Sequence, residues 1–332
     1  MTWILAMTFI FAGFLTPLSA APSFSSAGLL LVANKGDQTL GLVDTDSGRQ
    51  IATIVEGGVT GHEVVASPDG KKAFVPIYGN SGVGMPGTDG STIAVIDLGE
   101  HKLIRTVDFG HGVRPHCAVF GPKDGLLYVT TELDKSVAII DPHSLKILGS
   151  VPTGQAESHM LAISPDGSRG YTANVGPGTV SVLDLAGRKT LTVIPVAGHV
   201  QRISLSPDGH WAFTSDTEKP RLSVIDTATN KVDRWSTLPG TGYGTAPTPD
   251  GKWLLVAIPS TSEVAVVDVA TMRVVRTIKV PPSPQEVLVR PDGMVAYVSC
   301  SASHQIASIR INDWSVKLIE AGRDADGLAW AK

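Results

Sequence analysis

The chain has 332 residues, is 42% hydrophobic and only 17% charged, and carries a formal net charge of −4. No Lys/Arg cluster stands anywhere in it, so nucleic-acid binding by phosphate neutralisation is not expected. Its 22 prolines and 35 glycines fall in turns between β-prone runs, which suits an all-β body with a large core rather than a disordered chain.

Residues 1–20 differ from the rest. An uncharged apolar run spans residues 3–15 and is followed by Pro17-Leu18-Ser19-Ala20-Ala21. This pattern reads as a signal peptide cut near Ala20 or Ala21, which places the remainder outside the cytoplasm, in the periplasm or secreted. No Lys or Arg precedes the run, so an uncleaved anchor stays open. No other membrane contact is expected.

From residue 27 to 332 a single repeating domain is expected. Ser164-Pro165-Asp166-Gly167 returns as Ser206-Pro207-Asp208-Gly209, Thr248-Pro249-Asp250-Gly251 and Arg290-Pro291-Asp292-Gly293, each 42 residues after the last. Ser67-Pro68-Asp69-Gly70 stands upstream, with a stretched copy at residues 121–125. A period of 40 to 45 with turn residues in phase marks a propeller blade. Within residues 168–209, runs at 170–174, 179–184, 189–194 and 202–206 are separated by turns, giving four short antiparallel strands per unit. Seven units open at Leu29, Lys71, Leu126, Ser168, His210, Lys252 and Met294. The last stops at Gly327-Leu328-Ala329-Trp330, and the first, Leu29-Leu30-Leu31-Val32-Ala33-Asn34, lacks a preceding inner strand. The two ends are therefore predicted to complete one blade and close a seven-bladed β-propeller.

The repeat resembles the bacterial YVTN-type β-propeller family. Its tetrad is matched by Tyr128-Val129-Thr130-Thr131, Tyr171-Thr172-Ala173-Asn174, Phe213-Thr214-Ser215-Asp216 and Tyr297-Val298-Ser299-Cys300. Its Val-Ile-Asp strand is matched at residues 95–97, 139–141, 224–226 and 266–268. The strand-end Asp44, Asp97, Asp141, Asp184, Asp226 and Asp268 read as turn caps, and Arg310 departs from the pattern in the seventh unit. The resemblance implies a fold and leaves function open, because propellers host binders, scaffolds and enzymes. The leading expectation is a ligand-binding or interaction scaffold, monomeric, taking a small molecule or a protein. The alternatives are a lactonase-like hydrolase and a metal or tetrapyrrole (haem d1-like) binding protein. Cys-x-x-Cys-His is absent, so covalent c-type haem is not expected. Cys117 and Cys300 read as buried free thiols two blades apart.

Strand order puts the loops of six histidines, at 62, 111, 116, 159, 199 and 304, on one face; His101, His143 and His210 fall in turns of the other. Counting six back from the turn proline gives His62, His116, His159, Gln201, Tyr243 and Gln285, with Asp326 by extrapolation. A polar ring at the mouth of the central channel is predicted. His62, His116 and His159 are the candidate ligands of a divalent metal, since neutral imidazole suits such ions; contact with a small ligand without metal, and bonding to loop carbonyls or lining a wet channel, are the alternatives. Arg114, Glu157, Glu63 and Glu286 are the charged residues closest to the ring, and Arg114, Glu157, His199, Gln201, Tyr243, Gln285 and Asp326 are the candidate ligand-binding residues. An insertion at residues 79–90 lies on the same face.

Overall fold

The computed structural model describes residues 28–332, so the signal-peptide reading of residues 1–20 lies outside the described residues. Seven four-stranded sheets, all antiparallel, have inner strands that contact one another in succession and close a ring. Blade 1 is composite: Ala325–Ala331 is its inner strand, and Leu29–Asn34, Thr39–Asp44 and Arg49–Val55 follow outward. Blades 2 to 7 start from the inner strands Val65–Ala66, Pro115–Phe120, Ser158–Ile163, Ser204–Leu205, Thr245–Pro247 and Pro284–Val289. Among the described residues, helix is confined to two short 3-10 turns, and none is long or apolar enough to cross a membrane.

The repeated phrase folds each blade through its turn chemistry. In Ser164-Pro-Asp-Gly167 the serine hydroxyl donates to Asp166, which also accepts from the Ser168 N–H, while Gly167 takes φ +72°. The same bonds recur at Asp208 and Asp250. The strand-end aspartates cap the opposite turns: Asp97 accepts from Gly99 and Glu100 N–H, and Asp226 from Ala228 and Thr229 N–H. In blade 7, where Arg310 replaces the aspartate, Asp313 takes over by accepting from Ser315 N–H and pairing with Arg310.

The two middle strands of each blade carry the core. Leu29–Asn34 is buried at every residue, whereas Arg49–Val55 is largely exposed. Leu30 pairs with Trp330, Leu31 with Ala329 and Val32 with Leu328, so the predicted closure is the observed one. Cys117 and Cys300 are free, buried thiols that burial pushes up to about 12, and they sit three blades apart, not two.

Glu56 lies beyond the outer strand of blade 1 and is wholly buried, its carboxylate accepting from the Gly61 N–H at 2.9 Å. Burial pushes this carboxyl up to about 7, against that bond. A raised folded value means that the folded chain holds the proton more tightly. The associated stability is present below about pH 4.5 and lost as pH rises through 7, about 3 kcal/mol in all. Glu56→Gln should remove this part of the decline between pH 5 and 8, read as thermal midpoints against the parent. An unchanged decline would refute the assignment.

Candidate functional site

The rim residues stand where the inner strands begin. Two residues before five of them the backbone is left-handed at a non-glycine residue: Thr60, Arg114, Glu157, Ser283 and Asp324, with φ from 50° to 64°. These reversals turn the incoming loop onto the channel axis.

His62, His116 and His159 meet there. The His116 and His159 rings are 3.5 Å apart with an angle of 34° between them, and His62 meets His116 edge-on at 5.4 Å. Tyr78, from the second strand of blade 2, packs on all three, at 4.7, 5.3 and 6.2 Å. The Gln201 amide reaches His159 Nε2 at 3.4 Å. Burial is the main cause that lowers all three imidazoles: His62 to about 4, His116 and His159 well below their ordinary value. All three are neutral at pH 7. Among the described residues, no group of three or more His, Cys, Asp or Glu side chains could hold a metal ion.

One residue deeper lies a second ring: Gly327, Glu63, Cys117, Met160, Arg202, Gly244 and Glu286, from blades 1 to 7. Arg202 crosses the axis. Its Nη2 donates to Glu63 Oε1 at 2.8 Å and to Asp326 Oδ1 at 3.1 Å, and its Nη1 lies 3.5 Å from Glu286 Oε2. Tyr243 places its ring 5.2 Å from the same guanidinium. Lys35 reaches Asp326 and Asp324, each at 3.4 Å. The two glycines make room for the glutamates. A Cβ on Gly327 would stand 2.6 Å from Glu63 Cα, and one on Gly244 3.1 Å from Glu286 Cα. Burial drives the Glu63 carboxyl well above the usual range against the pull of Arg202, and raises Glu286 likewise.

Other expected site residues lie apart from this centre. Arg114 donates to Asp89, Glu132 and the Met85 carbonyl at 2.7, 3.2 and 2.8 Å. It anchors the insertion to blade 3, and Tyr78 joins it by donating to Glu132. Arg114 and Glu157 share a cleft of ≈ 460 Å³ with Met85, Leu133 and Lys135. His199 is exposed and pairs with Glu218 at 2.9 Å. Gln285 bonds the nearby Ser283 carbonyl. Arg202 and Lys35 were not singled out by the sequence reading; counting five instead of six back from the turn proline gives Glu63, Arg202 and Glu286 together.

No protein family model matches the chain, and no curated protein does. Solved structures do match. Hydrazine synthase from Kuenenia stuttgartiensis is 18% identical with a TM-score of 0.73, over 90% of this chain and 99% of that one. A functionally unknown protein from Desulfotomaculum acetoxidans DSM 771 is 14% identical with a TM-score of 0.74, over 92% and 99%. At such identity the likeness is one of fold.

Proposed function

We propose that this chain is an exported YVTN-type propeller, a monomeric and non-catalytic scaffold that binds a small molecule or protein segment over the histidine stack. One observation carries the reading. His116 and His159 are 2% and 3% exposed, and the Nδ1 atom of each has no hydrogen-bond partner. A buried polar atom left unpaired costs about 1–3 kcal/mol, which a ligand bonding there recovers. The half-buried His62 and Gln201 touch the stack and add polar groups beside it. Binding is favoured over hydrolysis because Arg202, Glu63 and Asp326 are already committed to one another.

The test is native mass spectrometry of the mature protein purified from its own cells. A component is expected on the parent and absent from His62→Gln, whose ligand-free melting should stay within about 1 kcal/mol of the parent. A component retained by the variant, or a parent that carries and takes up none, would remove the reading.

A further inference from the structure

The axial cluster holds more carboxyls than cations. Glu63 of blade 2, Glu286 of blade 7 and Asp326 of blade 1 all converge on the single guanidinium of Arg202, from blade 5. Lys35 helps only Asp326 among these three. The side chains of Glu63 and Arg202 are each 6% exposed, so water screens the cluster little. Moreover, Glu63 and Glu286 stand on the two Nη atoms of one guanidinium, at 2.8 and 3.5 Å, so the two carboxyls are close neighbours. Two ionised carboxylates so placed only accept and repel each other; a hydrogen held between them would relieve that repulsion.

We propose that Glu63 and Glu286 hold one proton between them, so that the propeller axis is a proton-binding site that locks the ring at its seam. The blades involved are the composite blade and its two neighbours. Glu286 Oε2 accepts from the Leu328 N–H at 2.9 Å, and the Gly327 N–H donates to the His62 carbonyl at 2.9 Å. Both donors belong to the closing strand Ala325–Ala331. With the proton in place, one cation faces two full negative charges, and Lys35 supports one of them. Without it, three buried carboxylates crowd one guanidinium and repel one another across that strand.

The surroundings favour retention. Around the pair stand Arg202 and Lys35 as cations, Asp326 as an anion, and Tyr243, His62, His116, His159 and the Cys117 thiol as neutral groups. Burial raises both carboxyls, Asp326 adds to the rise, and Arg202 opposes it. The sign follows from the raised folded value: the lock is complete at acid pH and is lost as pH climbs through that value. This inference is independent of the ligand reading above.

The experiment uses Glu56→Gln as parent, because Glu56 otherwise titrates near pH 7. Its infrared spectrum at about pH 8.5 should contain the carbonyl band of a protonated carboxyl, shifted in heavy water. The band should vanish in both Glu63→Gln and Glu286→Gln. The parent's melting temperature should fall by several degrees as alkaline titration removes the proton, and Glu63→Gln should lack that fall. No band in the parent, or a band surviving either substitution, overturns the proposal. If a variant fails to fold, the parent's own band and its disappearance on alkaline titration decide.

Discussion

Replacing Arg202 by Met is expected to destabilise the protein by about 3–5 kcal/mol, because it leaves buried carboxyls facing one another without their cation. For a chain of this size that corresponds to a fall in melting temperature of roughly 6–12 °C. The loss should be largest at alkaline pH and shrink on acidification, since protonated carboxyls need no counter-charge. Lost packing alone would be independent of pH. The compensated variant Arg202→Met with Glu63→Met and Glu286→Leu should recover most of the stability, as apolar replacement of a whole buried ionic cluster often does. Asp326 keeps Lys35 in that variant. A single Arg202→Met substitution that melts within two degrees of the parent at about pH 8 would show that the cluster contributes little.

Deleting residues 323–332 should abolish the cooperative fold. The deletion removes the whole inner strand of blade 1, with the bonds of Lys35 N–H to the Asp324 carbonyl and of Gly36 N–H to the Arg323 carbonyl. It also removes Asp326 from the axis. Leu29–Asn34, buried at every residue, becomes an open edge. Exposing three or four of its large side chains, at about 1.5–3 kcal/mol each, approaches the entire stability of an ordinary domain, about 5–15 kcal/mol. Aggregation or loss of the thermal transition is the expected outcome. A synthetic peptide of the deleted residues should restore the transition by adding back the strand. A truncated chain with the parent's melting curve would mean that ring closure is not what holds the blades.

The fold was legible because a turn phrase recurring every 42 residues leaves little freedom: Pro, Asp and Gly each impose a backbone state, and the phase repeats them. The site was only partly legible. The register six before the proline did bring His62, His116 and His159 together. It did not reveal that the next residue along also reaches the axis, because strand alternation sends neighbours to opposite faces. In blades 2 and 5 the regular inner strand begins only at Val65 and Ser204, so His62 with Glu63 and Gln201 with Arg202 lie before the ladder starts and escape that rule. In blades 3, 4 and 7 the register slips at the corresponding place. Arg114 was read from its type and its nearness to the ring, but its guanidinium is committed to Asp89 and Glu132, partners remote in sequence that only the folded insertion supplies.

The composite blade also dictates an order of events during synthesis. Leu29 must wait for a partner strand that is translated roughly three hundred residues later. The intervening six blades form from local hairpins, so they are able to assemble as a curved, open array while translation continues. Joining the ends then closes one loop of nearly the full chain, with an entropic cost on the order of 5 kcal/mol. Long-range closure of this kind is slow compared with hairpin formation. The meeting of the two ends is therefore expected to be the last folding event, with the strand Leu29–Asn34 left as an open apolar edge until it happens.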